Sequence, residues 1–264
     1  MSSNAPIGVY DSGFGGLSVW RELRRLLPDE SLIYLGDGKN CPYGGRSREE
    51  IEGFAIAAVE RLVERGVKMV VVGCNTATTA AVATLRQRWS DMPIVGLEPA
   101  VKPACLTTRS RKIAVLATAH SLSSDMFLAT AARYADDVEV VKVVGEGFVE
   151  LVERNMEHSE EAEILVHRAV EPLLERGVDK IVLGCTHYPF LRPHIERIVA
   201  DHGIDVIDSG EAVARRVAWL LDRYDIAAER GNIPTYDFMT FADDAYRTRL
   251  EQKANAILLE DKQQ

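Results

Sequence analysis

Hydrophobic and polar positions along the chain follow two alternating rhythms. Short runs rich in Val and Ile, such as Met69-Val70-Val71-Val72, precede longer segments whose apolar residues recur at helical spacing. The first rhythm predicts strands at 7–10, 32–35, 69–72, 94–96, 113–116, 138–144, 181–183, 206–207 and 236–241. The second predicts helices near 15–27, 48–65, 76–89, 121–133, 147–156, 161–176, 190–201, 210–223 and 243–255. Strands that are apolar at every position are covered on both faces, so the chain is expected to be α/β with parallel-type sheets. Ser47-x-x-Glu50 reads as a capping box, and Gly66 and Gly177 suit the position just past a helix end.

Two of these strand–helix junctions are near copies. Residues 62–74 align without a gap on 173–185, so Cys74 falls on Cys185 at a constant offset of 111 residues. A repeat of that size is a domain-scale duplication, longer than solenoid or propeller periods. A second half opens at Ile113-Ala114-Val115-Leu116-Ala117-Thr118, which echoes Ile7-Gly8-Val9-Tyr10-Asp11-Ser12. The expected domains are 1–97 with 209–264, and 98–208.

Composition narrows the function classes. The chain has 264 residues, 47% hydrophobic and 27% charged, the mix of an ordinary globular protein. It has no apolar run of membrane-spanning length, and its first residues lack the basic and apolar regions of a signal peptide. A cytoplasmic protein without membrane association is therefore expected. Net charge is −9 and no Lys/Arg stripe stands out, so nucleic acid is not expected as a partner. Four cysteines without a CxxC pair do not make a disulfide framework.

The duplicated cysteines carry the chemistry. Each stands where a strand ends and a helix begins, the edge at which open α/β sheets bind ligands. Helix N-termini present free N–H groups and partial positive charge, which stabilise a thiolate. Buried structural thiols are the alternative for either cysteine alone, and the duplication weighs against it. Asn75 and Thr76 follow Cys74, and Thr186 and His187 follow Cys185; their polar groups suit a carboxylate. His187 is placed to exchange a proton with Cys185. Asp11 ends the first strand and can assist Cys74, bind an ammonium group, or serve as a helix cap. A nucleotide fingerprint begun at Gly13 and Gly15 fails at Ser18, and no knuckle of paired Cys or His supports a metal.

Together, several runs resemble the cofactor-independent aspartate/glutamate racemase family. They are Asp11-Ser12-Gly13-x-Gly15-Gly16, Gly36-Asp37 with Pro42-Tyr43-Gly44, Cys74-Asn75-Thr76, Glu98-Pro99 and Gly184-Cys185-Thr186-His187-Tyr188-Pro189. The resemblance implies two pseudo-symmetric α/β domains with the active site at their interface, and no cofactor or metal. It implies Cys74 and Cys185 as the two acid/base residues, assisted by Asp11 and His187, with Glu153 on the Cys185 side. Ser12, Tyr43, Gly44, Asn75, Thr76, Thr118, Thr186 and His187, with Asp11, would line the amino-acid site. The implied substrate is glutamate, interconverted between its enantiomers to supply D-glutamate for peptidoglycan. A homodimer is left open.

The family pattern is broken in the second half. Ser121 and Phe127 stand where threonine and tyrosine are usual, and Gly145-Glu146 replaces Cys-Pro. Three rival readings remain: a racemase of aspartate or a related acid, a silent amino-acid-binding protein, and a redox dithiol protein. The Thr186-His187-Tyr188-Pro189 run favours glutamate over aspartate, and the missing CxxC disfavours redox chemistry.

Overall fold

A computed structural model describes residues 4–260; residues 1–3 and 261–264, at the ends of the first predicted domain, lie outside the described residues. The chain forms two units, 1–97 with 210–264, and 98–209. The first contains β1 (Ile7–Asp11), α1 (Leu17–Leu26), β2 (Leu32–Gly36), α2 (Arg48–Glu64), β3 (Met69–Val72), α3 (Asn75–Arg88) and β4 (Ile94–Gly96). The second contains α4 (Val101–Thr107), β5 (Lys112–Ala117), α5 (Ala119–Ser123), α6 (Asp125–Tyr134), β6 (Glu139–Val144), α7 (Phe148–Glu153), α8 (Glu160–Leu174), β7 (Lys180–Leu183), α9 (Arg192–Val199) and β8 (Asp205–Ile207). The chain then returns to the first unit as α10 (Gly210–Arg223), β9 (Tyr236–Thr240) and α11 (Asp244–Glu260).

Every strand pairing is parallel, in the orders β4-β3-β1-β2-β9 and β6-β5-β7-β8. Parallel neighbours need crossover connections, and the amphipathic segments between the strands supply helices for them. The duplication extends to strand register. Ile7 pairs with Met69 in one sheet and Ile113 with Lys180 in the other, and Met69 and Lys180 are aligned residues. Strands β1, β2, β3 and β4 thus match β5, β6, β7 and β8. The extra β9 covers the outer edge of β2, which is buried throughout, whereas β6 stays partly exposed at its edge.

Aromatic packing holds β9 in place: Trp20 of α1 meets Tyr236 and Phe238 at ring separations of 5.3 and 5.7 Å. In the second unit, α4 packs with α6 around Val101, Ile113, Val115, Phe127 and Val182. Helix α4 has no counterpart among the predicted elements, because Val101-Lys102-Pro103-Ala104-Cys105 is too short for helical periodicity to register. The helix expected at 121–133 divides at Ser124, whose hydroxyl accepts the Phe127 N–H and so starts a new helix. The segment expected as one helix at 190–201 starts as a 3₁₀ turn, Tyr188–Leu191, before α9.

The opposite ends of the two duplicated strands are fastened differently. Lys68, just before β3, forms a buried ion pair with Glu30 at 2.7 Å. The aligned residue before β7 is Asp179, whose carboxylate accepts hydrogen bonds from Thr108 Oγ1 and from the N–H groups of Arg109 and Ser110. Burial opposes the ionised form of Asp179, but these donors outweigh it and hold the carboxyl below its ordinary value.

Candidate active site

In the first unit, polar residues gather at the carboxyl ends of β1 and β3. Asp11 is fully buried, and its Oδ1 accepts the Gly13 N–H at 2.8 Å and the Ser12 hydroxyl at 3.4 Å. Tyr34 reaches across from β2 and donates its hydroxyl to the Gly13 carbonyl at 2.7 Å. This turn leaves no room for a side chain at Gly16, where a Cβ would stand 2.5 Å from Asp11 Cβ and 2.8 Å from Tyr34 Oη.

Cys74 is the N-cap of α3. Its Sγ accepts the Ala77 N–H at 3.4 Å and lies 3.6 Å from Ser12 Oγ. The 14-residue helix behind it directs its positive end at the sulfur. Asn75 and Thr76 begin that helix and are buried, and Asn75 Oδ1 has no hydrogen-bond partner among the described residues. A buried acceptor left open at a sheet's ligand-binding edge is suited to a donor arriving from outside.

Tyr43 belongs to a loop after β2 and is buried, with Gly44 beside it partly exposed. The Tyr43 hydroxyl faces inward and donates to Asp37 Oδ2 at 2.7 Å, so what the loop presents outward is Gly44 and main chain.

In the second unit, Cys185 follows β7 and is buried, with Sγ 3.8 Å from His187 Nδ1. The other ring nitrogen, Nε2, lies 2.7 Å from Glu153 Oε1, at the last turn of α7. With Glu153 ionised and His187 neutral, a carboxylate can only accept, so Nε2 carries the proton and Nδ1 turns its lone pair toward Cys185 Sγ. Glu153, His187 and Cys185 therefore form an ordered carboxylate–imidazole–thiol chain. Thr186 is buried next to it. Thr118 follows β5 at the register position matching Ser12 and caps α5; its hydroxyl accepts the Ser121 N–H and donates to Ser121 Oγ at 3.0 Å.

Tyr188 supports this arrangement from below. It is fully buried and its hydroxyl donates to the Gly145 carbonyl at 3.2 Å. Burial, reinforced by the nearby Cys185 charge, pushes its phenol well above the ordinary tyrosine value, so it remains a neutral donor. A Cβ at Gly145 would stand 2.5 Å from that hydroxyl, so in this chain the glycine lets the phenol approach the main chain closely. None of the four cysteines is in a disulfide.

Residues 11–217 match the model of the Asp/Glu/Hydantoin racemase family. The chain belongs to that family. A glutamate racemase of Ectopseudomonas mendocina is 47% identical over 226 residues, covering 86% of each chain. One of Herpetosiphon aurantiacus is 45% identical over 247 residues, covering 94% of this chain and 96% of its own. The crystal structure of Escherichia coli glutamate racemase in complex with L-glutamate and the activator UDP-MurNAc-ala superposes with a TM-score of 0.82 at 32% identity, covering 95% of both chains.

Sequence reasoning identifies the polar residues at the strand ends but not those beneath them. Tyr10 reads as an ordinary strand residue, yet its hydroxyl lies 2.7 Å from that of Tyr43. A tyrosine inside an otherwise apolar strand is the available signal, since a buried phenol needs a partner.

Proposed function

We propose that this protein interconverts L- and D-glutamate by proton transfer at Cα between two cysteines, without a cofactor. The carrying observation is that two duplicated strand ends each bear a buried thiol with its own device for handling a proton. Cys74 has a helix N-terminus that stabilises its thiolate; Cys185 has an imidazole lone pair oriented by Glu153.

Inversion at Cα removes a weakly acidic proton from one face and returns one to the other. In this reading the thiolate on one face takes the α-proton while the thiol on the opposite face gives its own. The thiol and thiolate have then exchanged roles, and the reverse reaction restores them. Asp11, Ser12, Asn75 and Thr76 bind the substrate on the Cys74 side, and Thr118, Thr186 and His187 on the Cys185 side, with the Tyr43-Gly44 loop. The open Oδ1 of Asn75 accepts from the substrate ammonium. Negative charge accumulates next to the substrate carboxylate, and fixed donors in a water-excluded site stabilise it.

None of the described helices is long and apolar enough to cross a membrane. In this reading the reaction takes place in the cytoplasm and supplies D-glutamate for peptidoglycan.

The test is to incubate each glutamate enantiomer, and each aspartate enantiomer, with purified protein in D2O and to follow chirality and Cα deuteration. Deuterated opposite enantiomer is expected from glutamate alone, and Cys74→Ala or Cys185→Ala abolishes it. Racemisation surviving in both single variants excludes the two-thiol mechanism. Conversion of aspartate in preference to glutamate excludes the substrate assignment.

A further inference from the structure

From Gly38 to Glu50 the chain is exposed or half-exposed at every position except Tyr43. This stretch includes Tyr43-Gly44, which the proposed function places against the substrate. A loop with one buried side chain owes its position to whatever grips that side chain. The Tyr43 ring packs on Phe54 of α2, with centroids 5.5 Å apart. Its hydroxyl sits in a chain of hydrogen bonds: Tyr43 donates to Asp37 Oδ2 at 2.7 Å, and Tyr10 donates to Tyr43, also at 2.7 Å.

The far end of this chain is a fully buried carboxylate. Asp37 pairs with no cation among the described residues; Asn40 Nδ2 donates to its two oxygens at 3.1 and 2.9 Å. A buried carboxylate needs donors, and Asp37 draws Tyr43 from the middle of the loop and Asn40 from its beginning. The same residue joins the loop to the Asp11 turn, since the Asp37 N–H donates to the Asp11 carbonyl at 2.9 Å. Tyr10 precedes Asp11 directly. The two segments that flank the Cys74 side of the site are thus held by one buried polar cluster.

We propose that Tyr10 and Asp37 are positioning residues: through the Tyr43 hydroxyl they hold the 38–50 loop in its substrate-binding position. Neither needs to touch the substrate. The packing of Phe54 fixes where the ring lies, and the two hydrogen bonds of the hydroxyl fix how far it inserts, which sets the height of the Tyr43-Gly44 main chain. When either hydrogen bond is removed, the loop samples other positions and must be ordered by the substrate itself, which weakens binding more than turnover.

This inference rests on the proposed racemisation, and the experiment separates the two. Glutamate KM and kcat are measured for the wild type, Tyr10→Phe and Asp37→Asn, together with Tm and calorimetric binding of glutamate. Tyr10→Phe is expected to raise KM and Kd about fivefold with kcat within twofold, the effect of one missing hydrogen bond. Asp37→Asn is expected to raise them further, because its amide turns a donor toward Asn40 Nδ2. Asp37→Glu, which keeps the charge but moves it, is expected to fall between the wild type and Asp37→Asn. A wild type that racemises normally beside variants of lowered Tm and unchanged KM overturns the positioning role and leaves the function standing. A wild type that does not racemise overturns the function, while a raised Kd in the variants still supports the loop anchor.

Discussion

Replacing Glu153 by Gln tests the ordered chain that ends on Cys185. The substitution keeps size and leaves an amide oxygen able to accept the His187 Nε2 proton, so geometry is preserved and charge alone is removed. A hydrogen bond to a charged group contributes about 1.5–3 kcal/mol and a neutral one about 0.5–1.5, so about 1.4 kcal/mol of support for a positively charged imidazole disappears. His187 is almost fully buried and Glu153 mostly so, at 2% and 15% side-chain exposure, which leaves water little part in restoring it. If proton movement through Cys185 draws on that imidazole, the loss shows as about a tenfold fall in kcat/KM. Enantiomers have equal free energy in water, so the ratio of the two kcat/KM values is fixed at unity for any variant. The fall must therefore be the same in both directions, while kcat and KM separately can divide it unequally. The assay is initial rates from L- and from D-glutamate, followed by circular dichroism, with thermal unfolding as a control for folding. A Glu153→Gln protein with wild-type Tm and kcat/KM within twofold of wild type would refute the assignment of this chain to proton transfer.

Other substitutions probe the scaffold. Gly16→Ala places a methyl group 2.5 Å from Asp11 Cβ, so activity should fall by far more than Tm suggests; a fully active variant would show the turn to be pliable. Lys68→Met leaves Glu30 buried without its cation and should lower unfolding free energy by about 3–5 kcal/mol, read by urea denaturation at neutral pH. Lys68→Met combined with Glu30→Leu should recover part of that loss, although the Ala228 N–H then forfeits its acceptor. Asp179 has a folded-state value below its unfolded one, so its contribution to stability is complete above the unfolded value and disappears as pH falls through the depressed one. The stability gap between wild type and Asp179→Asn should accordingly be widest at neutral pH and shrink in acid; a gap that is constant with pH contradicts the ionised assignment.

How much of this is legible in the sequence depends on whether the signal is local. Met69-Val70-Val71-Val72 and its copy before Cys185 announce buried strands because parallel strands covered on both faces admit little else. Helix starts are readable where a side chain caps its own turn, as at Ser47, whose box with Glu50 is formed. Helix α4 and the break at Ser124 are not, since seven residues hold barely two helical turns and a polar residue within a helical pattern has two readings. The strand-end residues are legible through the duplication. Their partners are not legible from local rules: Tyr10 to Tyr43 spans 33 residues, and Glu153, placed on the Cys185 side by the family resemblance alone, meets His187 across 34.

The duplication also accounts for what differs between the two thiols. Aligned strands deliver Cys74 and Cys185 to equivalent places, but the sequence diverges in the residues that follow. After Cys74 a 14-residue α-helix begins at once, and its Ala77 N–H points at the sulfur. After Cys185 the chain takes a 3₁₀ turn with Pro189 inside it, so no comparable helix N-terminus forms there. His187, two residues on, supplies the polar partner that the backbone does not, and Glu153 from α7 fixes its orientation. Cys74 meets a main-chain donor and the Ser12 hydroxyl, and Cys185 meets a titratable imidazole. The two should therefore respond differently to alkylation across the pH range, with Cys185 reactivity changing in His187→Asn while Cys74 reactivity does not. Mass spectrometry of each alkylated cysteine reads this directly, and parallel changes at both thiols would argue against separate devices.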